Sequence, residues 1–511
     1  MFLQLTTILL HLALCSATKD VVHFSVNSAQ GDRTPVKEDN SAAEMATVTV
    51  NLQQAVNRIG SHFVGVTIDS QQIRYNWNSF GFGSTKVQNM ARALSPSYFR
   101  LGGSAADYMT FDPTNQKGHK GENLQGGQVY CSNFTTQFYM SVDQWDILNK
   151  FLQAVGWDFI MDLNALQRNA DGSWNPANAR QLLQYSASKN YKIAAFELGN
   201  EYNLYPSSLA VTPAQLAVDY VTLQNLLGEF PQDYYSSFLV GPETAMGGEE
   251  KYFLGFLQAG GYKTIRASSF HSYYFSAQEK YLPHFTNVSI MNYLGGKIEL
   301  AMTQTRQVDP LLPVWLSETS TAYGCGTANM SDRFVAGFLW LDKLGLSAAM
   351  GIQSVIRQTF YGFNYGILDL DLNPNPDFWL TVLYKRIVRG PVFNATSDRS
   401  DVRAYVACAN PDNFKAGSLA FYFLNPNDYS VTFDLPQFDA QTMLIYALTA
   451  GDSGGLLSKF SALNGMKLEM SGDNLPDLKP LSAPKGPVSM APYSFGFVVL
   501  PEARVSICLN Q

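Results

Sequence analysis

The feature that most restricts the fold is an alternation. From about residue 60 to 385, short apolar runs take turns with longer stretches whose apolar residues recur at helical spacing. The runs fall at 64–68, 98–101, 159–163, 194–198, 236–240, 268–271, 314–316 and 354–357. Between them lie patterns such as Gln144-Trp-Asp-Ile-Leu-Asn-Lys-Phe-Leu152 and Phe334-Val-Ala-Gly-Phe-Leu-Trp-Leu-Asp-Lys-Leu344. Strand–helix repetition calls for a parallel sheet with right-handed crossovers. Eight such units close into a (β/α)8 barrel, expected over 59–388. An open doubly wound sheet is the alternative that the pattern leaves. Near residue 394 the rhythm changes. Short β-branched and aromatic runs at 402–407, 419–424, 431–435, 443–448 and 495–500 are punctuated by Pro, Gly, Asn and Asp. They predict an antiparallel β-sandwich over 389–511. An early segment, 46–58, contains the alternating Thr47-Val-Thr-Val-Asn and is expected to join that sandwich. The class is therefore α/β, a TIM barrel with a C-terminal sandwich.

Residues 1–17 read as a signal peptide, with an apolar centre around Leu9–Leu14 and small residues Cys15-Ser-Ala17 for cleavage. Residues 18–45 are a loose polar lead-in. The mature chain is expected to be secreted, with a lysosomal location as the alternative. No later apolar run approaches the roughly 18 residues that span a bilayer, so no integral membrane contact is expected. An oxidising compartment permits disulfides. Cys131, Cys325, Cys408 and Cys508 allow three pairings. Cys408 and Cys508 share the β-rich region and are paired, which leaves Cys131 with Cys325. Asn133, Asn287, Asn329 and Asn394 head glycosylation sequons.

Two predicted strands end in carboxylates. The fourth leads into Phe196-Glu-Leu-Gly-Asn-Glu201 and the seventh into Val314-Trp-Leu-Ser-Glu318. In a barrel, groups at the C-terminal strand ends converge on one mouth, and strands four and seven face each other across it. Glycosidic cleavage needs such a pair. One acid protonates the leaving oxygen while a carboxylate about 5–5.5 Å away attacks the anomeric carbon in a retaining enzyme. Their surroundings must hold Glu201 protonated and Glu318 ionised. Glu197 lies within its strand and is expected to pair inside the barrel.

Glu197-Leu-Gly-Asn-Glu201 and Trp315-Leu-Ser-Glu-Thr-Ser-Thr-Ala-Tyr323 resemble the acid/base and nucleophile motifs of the heparanase family of endo-β-glucuronidases. Ser95-Pro-Ser-Tyr-Phe-Arg-Leu-Gly-Gly103, Leu341-Asp-Lys-Leu-Gly-Leu-Ser-Ala-Ala349, Arg357-Gln358 and Pro374-Asn-Pro-Asp-Phe-Trp-Leu380 extend the likeness over nearly the whole mature chain. The resemblance implies Glu201 as proton donor and Glu318 as nucleophile. It implies that Asn200 hydrogen-bonds the sugar near the attacked carbon. Asp69, Tyr323 and Tyr365 match glucuronate-pocket residues, Gln358 lies in a matching segment, and Tyr273 matches a tyrosine beside the nucleophile. His271 is expected to orient a carboxylate.

Three departures stand out. Gly-Asn-Glu-Pro of the family is here Gly199-Asn-Glu-Tyr202, and Cys325 interrupts a glycine run. The long linker excised from vertebrate heparanases is replaced by a short stretch around Lys117-Gly-His-Lys-Gly-Glu, so an active, monomeric single chain is expected. Basic clusters are missing from Cys131-Ser-Asn-Phe-Thr-Thr-Gln-Phe-Tyr and from Gly241-Pro-Glu-Thr-Ala-Met-Gly-Gly-Glu-Glu-Lys. Dense sulfate favours Arg and Lys. Asn364-Tyr-Gly-Ile-Leu-Asp369 is similar to the leech-type hyaluronidases of the family. The expected substrate is a glycosaminoglycan polymer, hyaluronan ahead of heparan sulfate, cut internally. An exo-β-glucuronidase and a catalytically silent binding homologue are the alternatives.

Other chemistries find little footing. The formal net charge of -7 gives no basic field for nucleic acid. Gly451-Asp-Ser-Gly-Gly455 mimics a serine-protease loop without the matching His segment and reads as a hairpin turn. No His-Glu-x-x-His, paired Cys-x-x-Cys, phosphate loop or dinucleotide fingerprint occurs, so neither a metal nor a cofactor is expected.

Overall fold

The computed structural model describes residues 44–117, 136–246, 250–438 and 442–509. The expected signal peptide, Cys131, Asn133 and the Gly-rich stretch 118–122 lie outside the described residues. Eight parallel strands close on themselves: β1 Val64–Asp69, β2 Ser97–Gly102, β3 Trp157–Leu163, β4 Ala195–Leu198, β5 Phe238–Ala245, β6 Ala267–Ser272, β7 Val314–Thr319 and β8 Ser354–Arg357. The open-sheet alternative falls, because β8 pairs with β1 in register Val355↔Val64. The major helices between and after the strands are α1 Thr85–Ala93, α2 Val142–Val155, α3 Ala177–Ser188, α4 Pro213–Gly228, α5 Glu250–Gln258, α6 Val288–Arg306, α7 Ala336–Met350 and α8 Pro376–Ile387. Their limits follow local chemistry. Helix α2 starts at a capping box in which the Ser141 hydroxyl accepts from the Gln144 amide at 3.2 Å and the Gln144 side chain accepts from the Ser141 amide at 3.0 Å. It stops at Gly156, whose φ of 72° suits glycine.

The barrel interior changes character along its axis. Side chains alternate along a strand, so every second residue faces inward. Near the N-terminal ends the inward positions hold an apolar plug of Ile160, Ala195, Val240, Ala267, Trp315 and Ile356, closed by Tyr98 and Phe238. Two residues further along the same strands stand Asp162, Glu197, Ser269, Ser317 and Gln358, with Arg100 two beyond Tyr98. The plug is thus followed by a polar, ionisable layer, and that layer is the floor of the mouth.

Apart from two short two-stranded pairs, the remaining strands form one continuous 12-stranded sheet folded over a second apolar core of Val48, Phe393, Val406, Phe421, Phe433, Ile445, Val498 and their neighbours. The sandwich is mixed rather than purely antiparallel. Glu44–Asn51 pairs antiparallel with Val388–Ser397 and parallel with Val431–Asp434. No tight hairpin joins it to either neighbour, so nothing forces antiparallel pairing. The strand includes Glu44 and Met45, assigned above to the lead-in. Cys408 and Cys508 form a disulfide, with 5.5 Å between Cα atoms. The Gly451–Gly455 segment lies between the antiparallel strands Thr442–Ala450 and Ser461–Leu463 and makes a turn in which Asp452 accepts from the Gly454 amide.

Barrel and sandwich meet along α7. A Cβ on Gly345 would lie 2.3 Å from the Tyr405 ring and one on Gly337 2.4 Å from Phe495, so only glycine admits those rings. Buried Asp342 accepts from Tyr405 Oη at 2.6 Å and pairs with Arg403 at 3.0 Å. Among the described residues no helix is long and apolar enough to cross a membrane. Asn287, Asn329 and Asn394 are all exposed.

Candidate active site

Glu318 reaches the mouth through an irregularity in β7. Phe270 of β6 is level with Leu316, but His271 is level with Glu318. Ser317 is therefore the extra residue of a bulge, which bends the strand and lets consecutive side chains enter the barrel. The Ser317 hydroxyl donates to Glu243 at 2.8 Å, while Glu318 accepts from Tyr273 Oη at 2.7 Å and from Arg100 Nη1 at 2.7 Å. Glu201 arrives by a different route. Gly199 has φ 79°, and a Cβ there would lie 2.1 Å from the Tyr202 ring. Glu201 itself is left-handed at φ 53°, and its amide donates to the Glu243 carbonyl at 2.8 Å. Tyr202, standing where the family motif has proline, folds back on Gly199 and donates its hydroxyl to Asp107.

The two carboxylates approach across the mouth with His271 between them. Oxygens of Glu201 and Glu318 and a nitrogen of His271 lie within 4.8 Å of one another. These three side chains are also the one group of metal-ligand type among the described residues. Both imidazole nitrogens are already engaged, Nδ1 with Glu201 Oε1 and Nε2 with Glu243 Oε2, each at 2.8 Å. Asn200 is fixed from three sides. Its Oδ1 accepts from Arg100 at 2.9 Å, its Nδ2 donates to Ser104 at 3.2 Å and its amide donates to Asp107 at 3.0 Å. Beside Glu318, Asp69 accepts from the Gln71 amide at 2.9 Å and from Gln358 Nε2 at 3.2 Å. Tyr365 is buried, and Gly326 packs so closely on it that a Cβ would lie 2.9 Å from its ring. Tyr323 is 59% exposed at the outer edge and meets the Tyr273 ring edge-on at 6.5 Å. All nine side chains singled out in the sequence thus line one mouth. Cys325 lies two residues beyond Tyr323 and is disulfide-bonded. Its expected partner Cys131 is outside the described residues.

Electrostatics divides the carboxyls into two sets. Asp107, Asp162, Glu197, Glu243 and Glu318 are buried, with half-buried Asp69 beside them, around two cationic groups, Arg100 and His271. Burial alone raises a carboxyl, and a nearby cation lowers it. Burial wins at Asp69, pushed up to about 7, and at Glu197, pushed up to about 8 despite Arg100. The cations win at Glu318, where His271, Arg100 and the Tyr273 hydroxyl outweigh burial and hold the carboxyl below its ordinary value. At His271 burial is overcome by Glu318, Glu201 and Glu243, which push the imidazole up to about 10. An ionised Glu318 can attack an anomeric carbon. Glu201, with its carboxylate at the mouth and the His271 N–H beside it, can deliver a proton to a departing oxygen and recover one from water.

Residues 45–345 match the glycosyl hydrolase family 79 N-terminal domain. The chain belongs to glycosyl hydrolase family 79. This family 79 chain is 33% identical to the heparanase of Bos taurus, covering 92% of this chain and 93% of the bovine one. It is 30% identical to the hyaluronoglucuronidase of Hirudo nipponia, covering 90% and 99%. It is 28% identical to inactive heparanase-2 of Homo sapiens, covering 96% and 94%. Among solved structures, a 4-O-alpha-L-rhamnosyl-beta-D-glucuronidase from Fusarium oxysporum superimposes with a TM-score of 0.66 at 16% identity, covering 89% of this chain and all of the other. The family 79 chain is a glycoside hydrolase.

Sequence reasoning passed over the residues that hold the site together. Arg100 donates to Glu197 at 2.6 Å, Glu318 and Asn200, and lies 3.4 Å from Glu243. Asp107 accepts from the Ala165 and Asn200 amides and from the Tyr202 and Tyr205 hydroxyls. Lys343 on α7 donates to Thr319 Oγ1 and to the Ser320 carbonyl at 2.8 Å, just past Glu318. A usable signal was present: Arg100, Asp162 and Glu197 are charges inside runs that otherwise read as buried strands, and a buried charge needs a partner.

Proposed function

We propose that this chain is a retaining endo-β-glucuronidase that cleaves internal glucuronide bonds of a glycosaminoglycan, hyaluronan before heparan sulfate, as a secreted single chain. The observation that carries the mechanism is the approach of Glu201 and Glu318 oxygens to within 4.8 Å, the separation range of a double-displacement pair rather than the wider gap that admits a water in inverting enzymes. Glu318 attacks C1 and Glu201 protonates the glycosidic oxygen, giving a glucuronyl ester on Glu318. Water, deprotonated by Glu201, then hydrolyses that ester with net retention. The Asp69, Gln358 and Tyr365 group supports the glucuronate end of the reading, because a protonated Asp69 can donate to a sugar carboxylate.

The preference for an unsulfated polymer rests on the cations of the mouth loops. Arg168, after β3, is taken by Asp219, and Arg333, after β7, by Asp332 and Asn329. Lys343 of α7 and Arg357 of β8 are buried, and of the loop lysines Lys117 and Lys280 stand exposed. Few of these charges are left for sulfate groups. Likeness to the Hirudo nipponia protein points the same way and likeness to the bovine heparanase keeps heparan sulfate second.

The test is digestion of hyaluronan and heparan sulfate side by side, with sizing of products and identification of the new reducing ends. Glucuronate reducing ends, formed first as the β-anomer by NMR, are expected. N-acetylhexosamine reducing ends or an α-anomer would sink the reading. Glu201→Gln and Glu318→Gln should each lower turnover at least a thousandfold while the protein still folds and unfolds cooperatively. Turnover of neither polymer by the wild type would favour the silent binding homologue.

A further inference from the structure

Glu243 lies within β5, in the stretch from Gly241 onward that the sequence reading treated only as a poorly basic rim. It is fully buried, at φ 55°, in contact with every part of the acid/base machinery. Its backbone carbonyl receives the Glu201 amide at 2.8 Å, and its own amide donates to Ser269 Oγ at 3.2 Å. Its carboxylate accepts from His271 Nε2 and from Ser317 Oγ, each at 2.8 Å, with Arg100 Nη2 3.4 Å away. The far nitrogen of the same imidazole makes the one side-chain hydrogen bond to Glu201 among the described residues.

We propose that Glu243 is a positioning residue for the acid/base, fixing the charge and orientation of His271 so that His271 holds the Glu201 carboxylate in its reactive place. The proposal rests on the function argued above, in which Glu201 is the proton donor. Its physical basis is a carboxylate–imidazole–carboxylate line. When Glu201 gives its proton to the leaving oxygen it becomes an anion in a largely dehydrated mouth. An imidazolium at 2.8 Å stabilises that anion, and a second carboxylate on the opposite nitrogen keeps the ring charged and prevents it from rotating. Other charges act on the same ring: Glu318 from β7, and Arg100 and Glu197 through the shared network. Glu318 needs His271 as well, but as a neighbour in space rather than a hydrogen-bond partner. Glu243 is the group whose removal uncouples the ring from its anchor while leaving Glu201 and Glu318 in the chain. The bulge that admits Ser317 also serves Glu243, which ties the geometry of the acid/base to the strand that carries the nucleophile.

Two measurements on wild type, Glu243→Gln, Glu243→Asp and Ser317→Ala decide the matter. The first needs no substrate. In protein labelled with 15N-histidine, ring resonances assigned by their loss in His271→Gln report the charge and tautomer of His271 across pH. His271 in Glu243→Gln should bind its proton at least tenfold more weakly than in wild type, Ser317→Ala should shift it less in the same direction, and Glu243→Asp should recover most of the affinity. The second compares cleavage of the polymer with cleavage of an aryl glucuronide whose nitrophenolate leaves without acid assistance. Glu243→Gln should lose 10–100-fold on the polymer and at least tenfold less on the aryl substrate. Unchanged His271 titration in Glu243→Gln and Ser317→Ala, or equal losses on both substrates, overturns the proposal. If Glu243→Gln does not fold, Ser317→Ala and Glu243→Asp carry the same comparison. A wild type inactive on both substrates counts against the proposed function, and the imidazole titration then decides the coupling alone.

Discussion

As the proposed nucleophile, Glu318 has to remain an anion in a buried place, and two donors, Arg100 and Tyr273, together with the charge of nearby His271 make that affordable. Of these, Tyr273 can be removed with the least disturbance, since Tyr273→Phe keeps the ring and deletes only the 2.7 Å bond. A hydrogen bond to a charged acceptor contributes about 1.5–3 kcal/mol, so kcat/KM should fall roughly 10–100-fold. Because that bond helps hold the Glu318 carboxyl low, the acid limb of the pH–rate profile should also move to higher pH. A limb that stays in place would assign Tyr273 to packing alone. At this scale the sequence was most legible where a residue's neighbours in the chain are also its neighbours in function. Glu201 and Asn200 could be read from one short motif, and Tyr273 from its place after His271. Arg100 and Glu243 could not, because their partners lie on other strands, 97 and 218 residues away for Arg100 and 28 and 74 for Glu243, and are brought together only when eight strands close.

At the scale of elements, the eight apolar runs were recognisable because a parallel barrel strand is buried on both faces and so lacks polar alternation. The irregularities within those strands were not. Nothing in Val314-Trp-Leu-Ser-Glu318 announces that Ser317 is a bulge residue, since pairing offsets depend on both strands. The β4 turn is the element most exposed to a small change. Gly199→Ala adds a Cβ at φ 79° that must displace the Tyr202 ring. The left-handed backbone alone costs about 1–2 kcal/mol. Thermal unfolding should show a loss of at least that size, and activity should fall further than stability, because Glu201 is two residues away. A stable, fully active Gly199→Ala protein would contradict the account of how Glu201 is aimed. The mixed sandwich was also hidden from the sequence, as strand direction is not encoded in a run of Ala, Thr and Val.

For the whole molecule, the crowded carboxyls beneath the mouth set how stability varies with pH. Glu197 has a folded value of about 8 against 4.5 ordinarily, so its contribution is complete below about 4.5 and is lost as pH rises through about 8. His271 behaves alike over a window ending near 10. Glu243 and Glu318, held low, carry the opposite loss on the acid side. The melting temperature should therefore be highest in mildly acidic solution and fall between pH 5 and 9. Glu197→Gln, which imitates the protonated acid, should flatten that fall; an unchanged slope would place the dependence elsewhere. The strand Glu44–Asn51 has a consequence of another kind, in time. Its Thr47 amide bonds to Asp398, 351 residues later, so the strand leaves the ribosome long before anything it can pair with has been made. At about 5–20 residues per second, that wait is roughly 20–70 s. Throughout it, Ala46, Val48 and Val50 have no core to enter. The nascent chain must spend that interval with an unpaired apolar edge at its front, and a chaperone that shields it should raise yield more than one that acts after release.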